Sequence, residues 1–360
     1  MNFKKNIIIT LTIIFISLFA VATFNYTVDP AQIFHKDNTE QNIADIIIKQ
    51  QKNVVLSTNL DDRLIQKHCI VDMQTSPSII ALGSSRIMQL QQATFASSFF
   101  NNGVAGASLE DILAIYFMYE DKDNQPQTII IAVEPWLLNK NNDQTRWKSI
   151  SQEYDKANNI LQNKHATKNS HLEKYGELIS LPYLREAIKR VLHKTDNQKI
   201  FYATDDIPKD SLAKLKDGSV TYPISSTDIS SEEIDKLATE YANTTPIYSL
   251  GKYSELDVNL QEQFENFIHY LKQRNKEIIF FFPPYHPIPY KVITNKKEYE
   301  NVLKAQTYFK NFALANNIKI IGSYDPQAMQ LTSKDFFDGM HMQEKSINKL
   351  FQTANIIQNP

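Results

Sequence analysis

Ser78-Ile79-Ile80-Ala81-Leu82-Gly83-Ser84-Ser85-Arg86 is the stretch on which the fold of this chain turns. Ile79–Leu82 is apolar with no polar alternation, the pattern of a strand buried on both faces of a parallel sheet. Glycine at its end lets the chain turn sharply, since it lacks the Cβ that restricts φ. The turn then carries a serine, expected near a helix N-terminus whose backbone N–H groups face outward. Alone, such a serine reads more readily as a helix cap than as a nucleophile.

Beyond this stretch, strands and helices alternate. The segment 89–98 can be helical, and 99–103 reads as a short strand leaving into a glycine-containing loop. A helix is predicted over 108–120, with Leu109, Ile112, Leu113 and Phe117 at helical spacing and Ser108 as its cap. The strand 128–133 stops at Glu134-Pro135-Trp136. After Gly251 the alternation resumes, with helix 260–275, strand Glu277–Phe282, helix 296–316, strand 318–322 and helix 343–357. Such alternation predicts an α/β fold with a parallel sheet covered on both faces, and working residues at the carboxyl ends of its strands.

The remainder divides into a leader 1–25, a lead-in 26–75, a first core part 76–140, an insertion or cap 141–250 and a second core part 251–360. The lead-in suggests helices at 38–53 and 60–70. The insertion is polar and largely helical, with helix-like stretches near 145–162 and 172–193, and is placed off the central sheet.

Lys4 and Lys5 precede the uncharged apolar run 7–24, which as a helix spans about 27 Å, near the hydrocarbon thickness of a bilayer. Lysines ahead of the span favour a cytoplasmic N-terminus. The length of the run favours a retained signal anchor, and Ala20-Val21-Ala22 offers the alternative of a cleaved signal peptide. Either places the bulk of the chain outside the cytoplasm. The net charge of -2 gives no basic footprint for nucleic acid. Cys69, the only cysteine, excludes an internal disulfide framework and reads as a small buried hydrophobe.

Near the C-terminal end stands Asp338-Gly339-Met340-His341. A serine hydroxyl is a weak nucleophile until a base takes its proton and a third group holds that base. His341 would be the base toward Ser85, with Asp338 fixing its tautomer. Asn101-Asn102-Gly103-Val104-Ala105-Gly106 lies at a strand–helix junction, where the Gly106 N–H can serve with that of Ser85 as an oxyanion donor. Arg86, Trp136 and His286 are weaker candidates for substrate contact, the last following the strand Glu277–Phe282 with Tyr285. His35, His68, His165, His171, His193 and His269 show no metal-ligand spacing, and neither metal nor cofactor is expected.

These blocks resemble the SGNH (GDSL-type) hydrolase superfamily. Gly83-Ser84-Ser85 is similar to its first block, with Ser84 where aspartate is usual, Asn101-x-Gly103-x-x-Gly106 to its second, and Asp338-x-x-His341 to its last. The resemblance covers roughly 76–140 and 251–357. It implies a flavodoxin-like three-layer α/β/α fold, Ser85 as nucleophile, His341 as base, Asp338 as its orienter, and Ser85 and Gly106 N–H groups as the oxyanion hole. The N-terminal span, the Gly-Ser-Ser-Arg variant and the insertion look closest to the extracytoplasmic branch similar to the teichoic-acid D-alanyl transfer and alginate O-acetylation proteins. That branch implies acyl transfer or O-deacylation on an envelope or exported glycan, beside a multispanning membrane acyltransferase. One departure stands out: the third-block asparagine has no counterpart, because the equivalent strand ends Val133-Glu134-Pro135-Trp136, and Asn139 is the nearest substitute. The departure suits a narrow transferase, or a catalytically silent glycan-binding or docking module.

Overall fold

The computed structural model describes residues 2–30, 34, 38–56, 60–162, 173–192, 201–244, 247–248, 250 and 252–354. His35, His165, His171, His193 and Gly251 lie outside the described residues, as do the ends of the expected helices at 172, 193 and 355–357. The chain forms two bodies, one drawn from Met1–Thr39 and Lys164–Lys199, the other from Glu40–Asn163 and Ile200–Pro360.

The smaller body is built on the helix Asn2–Val28, whose stretch Lys4–Val28 is long and apolar enough to cross a membrane. Its apolar side chains are exposed along most of its length. Its threonines return their hydroxyls to the backbone, Thr12 Oγ1 donating to Ile8 O and Thr23 Oγ1 to Phe19 O, each at 2.8 Å. That satisfies polar atoms which a hydrocarbon surrounding would leave unpaired. At the far end Asn25 Nδ2 donates to Leu178 O at 2.9 Å, and the Tyr183 hydroxyl donates to Asp29 at 2.6 Å. These bonds tie the helix to Glu173–Ile179 and Leu181–Leu192.

Among the described residues the larger body has strands β1 (Asn53–Leu56), β2 (Ile79–Leu82), β3 (Phe99–Asn101), β4 (Thr128–Ala132), β5 (Phe201–Thr204), β6 (Ala213–Lys214), β7 (Val220–Thr221), β8 (Glu277–Phe282) and β9 (Lys319–Gly322). Five of them form one parallel sheet in the order β3-β2-β4-β8-β9. Taken alone, that is second-first-third-fourth-fifth, a doubly wound order whose switch point lies between β2 and β4. Strand residues alternate between two apolar cores. Ile80, Leu82, Ile129, Ile131, Phe280 and Phe282 join the helices Leu109–Phe117, Val258–Gln273 and Glu300–Ala315. Ile79, Ala81, Ile130, Ala132, Ile279 and Phe281 join Ile234 of helix Ser231–Ala242 and Ile347 and Phe351 of helix Glu344–Thr353. The α/β reading with a parallel sheet covered on both faces thus describes the molecule.

Among its described residues the insertion is largely helical, with Ser151–Leu161, Leu181–Leu192 and Ser231–Ala242 the longest helices, and it also carries three short strands that the sequence did not announce. β5 and β6 pair antiparallel with β1 of the lead-in, and β7 pairs antiparallel with β6, in a second sheet ordered β5-β1-β6-β7. Strands of two to four residues, with β1 some 150 positions from both its partners, leave no local periodicity to read. The β6–β7 hairpin runs beside the main sheet: Asn101 N–H donates to Asp217 O and Val220 N–H to Met88 O, each at 2.8 Å. The helix expected at 89–98 is only the short 3-10 turn Gln92–Thr94, and an unforeseen helix, Pro287–Asn295, follows β8.

Candidate active site

Three segments meet at the carboxyl end of β2. Gly83 has φ +155°, and a side-chain carbon there would collide with Ala132 Cβ on β4, so the chain leaves the strand in a conformation glycine favours. The following turn is strapped by Asn101, whose Nδ2 donates to Ile87 O at 2.8 Å and Leu90 O at 2.9 Å. Val104 N–H donates to Gly83 O at 3.0 Å, laying the 101–106 loop alongside the serine turn. No helix begins at Ser85; residues 85–89 form a turn, so helix-dipole assistance is absent there. Ser84 is buried and Ser85 half-buried, which leaves Ser85 as the reachable hydroxyl.

Ser85 Oγ lies 2.8 Å from His341 Nε2, and His341 Nδ1 lies 2.7 Å from Asp338 Oδ2. The other Asp338 oxygen accepts the backbone N–H groups of Met340, at 2.8 Å, and His341, at 2.7 Å. This Asx-type turn is the local reason for a three-residue spacing: the carboxylate folds its own loop and presents the imidazole in one motion. Burial pushes the Asp338 carboxyl up, but His341 and the two backbone N–H groups outweigh it and hold the group below its ordinary value. An ionised Asp338 accepts from Nδ1–H, which leaves Nε2 bare to accept from the Ser85 hydroxyl. Phe337 stacks on the imidazole with ring centres 5.5 Å apart and planes 12° apart, and Tyr222 stands beside it, tilted by 44° with ring centres 6.5 Å apart.

Arg86 is taken up inside the fold. Its Nη1 donates to Glu134 Oε2 at 2.8 Å, its Nη2 to Pro283 O at 2.6 Å and Pro284 O at 2.7 Å, and its Nε to Met340 O at 3.1 Å. Its guanidinium also stands 4.1 Å from the Tyr285 ring centre. The remaining Glu134 oxygen accepts the Ser84 hydroxyl at 2.6 Å. Burial pushes the Glu134 carboxyl up against the pull of Arg86, and Glu134 in turn raises Arg86 despite its burial. Glu134, at the strand end where the resemblance calls for an asparagine donor, is thus committed to locking Arg86 and Ser84. Through Met340 O the same arginine also ties the serine turn to the histidine loop.

Gly106 has φ +58°, and neither its N–H nor that of Ser85 has a hydrogen-bond partner among the described residues. Trp136 is buried: its indole N–H donates to Ala107 O at 2.9 Å, and its ring meets Tyr248 edge-on at 5.1 Å, so it presents no face to a sugar. His286 is also buried; its Nδ1 accepts Ile288 N–H at 3.2 Å, capping helix Pro287–Asn295, and its Nε2 faces Asp235 at 3.3 Å. That capping bond explains why this histidine is withdrawn from substrate. Asn139 is buried, and its Oδ1 accepts Asn141 N–H at 3.0 Å in its own loop.

Sequence reading missed the part Glu134 plays in locking Arg86 and Ser84, and the packing of Tyr222 beside the His341 ring. Only the strand-end position of Glu134 offered a signal; Tyr222 comes from the insertion, where no motif marks it. Among the described residues, no three His, Cys, Asp or Glu side chains gather as a metal site. No protein-family model matches the chain, and no curated protein matches its sequence.

Proposed function

We propose that this chain is an SGNH-type enzyme of flavodoxin-like three-layer fold that performs serine-dependent acyl transfer or O-deacylation on a cell-envelope or exported glycan. The observation that carries the reading is the continuous relay from Ser85 Oγ through the His341 imidazole to Asp338. In the first half-reaction His341 Nε2 takes the hydroxyl proton as Ser85 Oγ bonds to the acyl carbon, and the carbonyl oxygen becomes an oxyanion. The Ser85 and Gly106 N–H groups are the backbone donors for that charge. Collapse expels the leaving oxygen, which takes the proton back from His341. In the second half a sugar hydroxyl or water gives its proton to His341, attacks the acyl-enzyme and regenerates Ser85.

The apolar helix Asn2–Val28 supports an anchored enzyme. In this proposal its larger body lies outside the cytoplasm, next to a multispanning acyltransferase that supplies the acyl group. A second reading, a silent glycan-binding or docking module, is favoured by the commitment of Glu134 to Arg86 in place of a third donor. Turnover of a small acetyl ester by the full chain in detergent, with and without an acetylatable glycan, separates the readings. Burst release of the alcohol, lost in Ser85→Ala, supports the enzyme. A folded protein with no Ser85-dependent release overturns it in favour of the binder.

A further inference from the structure

We infer that Arg146 supplies a third, charged donor to the oxyanion of this site, an inference that rests on the acyl-transfer reading above. A side-chain carbon built on Gly106 would collide with Arg146 Nη2 and with the Tyr248 hydroxyl, and would meet Gln144 Oε1 at 2.9 Å. The guanidinium therefore lies directly on the residue whose backbone N–H is one of the two unpartnered donors. Absence of a side chain at position 106 is what admits it.

Arg146 is exposed, and among the described residues it forms no ion pair. Among the described residues its guanidinium makes one hydrogen bond, and that is long, Nη2 donating to Gln144 Oε1 at 3.4 Å. Its neighbours hold it over the glycine. Gln144 Nε2 donates to the Tyr248 hydroxyl at 2.9 Å, Tyr248 stands edge-on against Trp136, and Trp136 is bonded to Ala107 O, one residue past Gly106. A buried aromatic thus fixes a polar arm whose end is an uncompensated positive charge. This contrasts with Arg86, whose charge is fully spent on Glu134 and three backbone carbonyls. A guanidinium whose attraction is not consumed by a carboxylate is suited to charge that develops only as the acyl carbonyl is attacked. The insertion would then complete the catalytic centre that the parallel sheet begins.

The test compares full-length wild type, Arg146→Gln, Arg146→Ala and Ser85→Ala on p-nitrophenyl acetate, a neutral ester with no anionic group to clamp. The inference expects Arg146→Gln to lower kcat about a hundredfold with KM little changed and the melting temperature retained. It also expects millimolar guanidinium to restore part of the kcat of Arg146→Ala, where methylammonium does not. Unchanged kcat in Arg146→Gln, with turnover still dependent on Ser85, overturns the role of Arg146 and leaves acyl transfer standing. A loss confined to esters that carry an anionic group overturns it too, because the arginine is then a substrate clamp. Absence of Ser85-dependent turnover in wild type overturns both.

Discussion

Arg86 Nη1 and Glu134 Oε2 lie 2.8 Å apart, with side chains 1% and 0% exposed, at the switch point where β2 and β4 end. The pair is a brace between the serine turn, the end of β4 and the histidine loop, since Arg86 also reaches Met340 O. Removing one partner strands a charge in the interior. Arg86→Met should destabilise the fold by about 3–5 kcal/mol, read from the urea midpoint. The double variant Arg86→Met/Glu134→Leu should recover much of that loss, because no buried charge is left over. A double variant less stable than the single one would show that the arginine matters for its packing and carbonyl contacts instead.

Asp338 orders the imidazole and its own loop, so Asp338→Asn should lower kcat by roughly a thousandfold or more through the wrong tautomer, with an intact fold. The pH dependence follows from the lowered carboxyl. A carboxylate held below its unfolded value adds stability above that unfolded value, about 3.9, and loses it as pH falls through the lower folded one. The stability advantage of wild type over Asp338→Asn should be full near pH 6 and shrink below about pH 4. Urea midpoints across that range measure it, and an advantage that grows toward low pH would contradict the assignment.

Gly83→Ala places a methyl group against Ala132 Cβ in a backbone region that alanine rarely adopts. The expected cost is about 1–3 kcal/mol from backbone strain, with a further loss of turnover as Ser85 shifts. Gly83→Ala/Ala132→Gly removes the collision but not the strain, so it should recover only part of the melting temperature. Full recovery would show that φ is not the constraint.

Cys69 is buried, and burial pushes its thiol up to about 12. At pH 8 roughly one thiol in ten thousand is then thiolate, the reactive form. The native protein should resist iodoacetamide for hours and react fully in 6 M guanidinium, as followed by mass. Rapid labelling of the native chain would contradict its burial.

Much of this was legible because it is local. Runs such as Ile79–Leu82, and the spacing of Phe264, Phe267, Ile268 and Leu271, fix their elements from near neighbours alone. Ser85, Asp338 and His341 were readable because each sits in a turn with its own signature, and the sheet order then brings the turns together. Arg86, Trp136 and His286 misled because a strand end places a residue near a cleft without saying which way its side chain faces. For Arg86 the deciding partner, Glu134, is 48 positions away. Arg146 and Tyr248 were invisible for the same reason: their place depends on the path of a polar insertion folded over Gly106, and no periodicity encodes that path.

If Ser85 is a nucleophile activated by His341, a fluorophosphonate probe should bond to it covalently. Full-length protein should take up one equivalent of probe, mapped by peptide mass to Ser85, and His341→Ala should slow labelling by a hundredfold or more. A folded protein that takes up no probe, or one whose labelling is unchanged in His341→Ala, would contradict a nucleophilic Ser85.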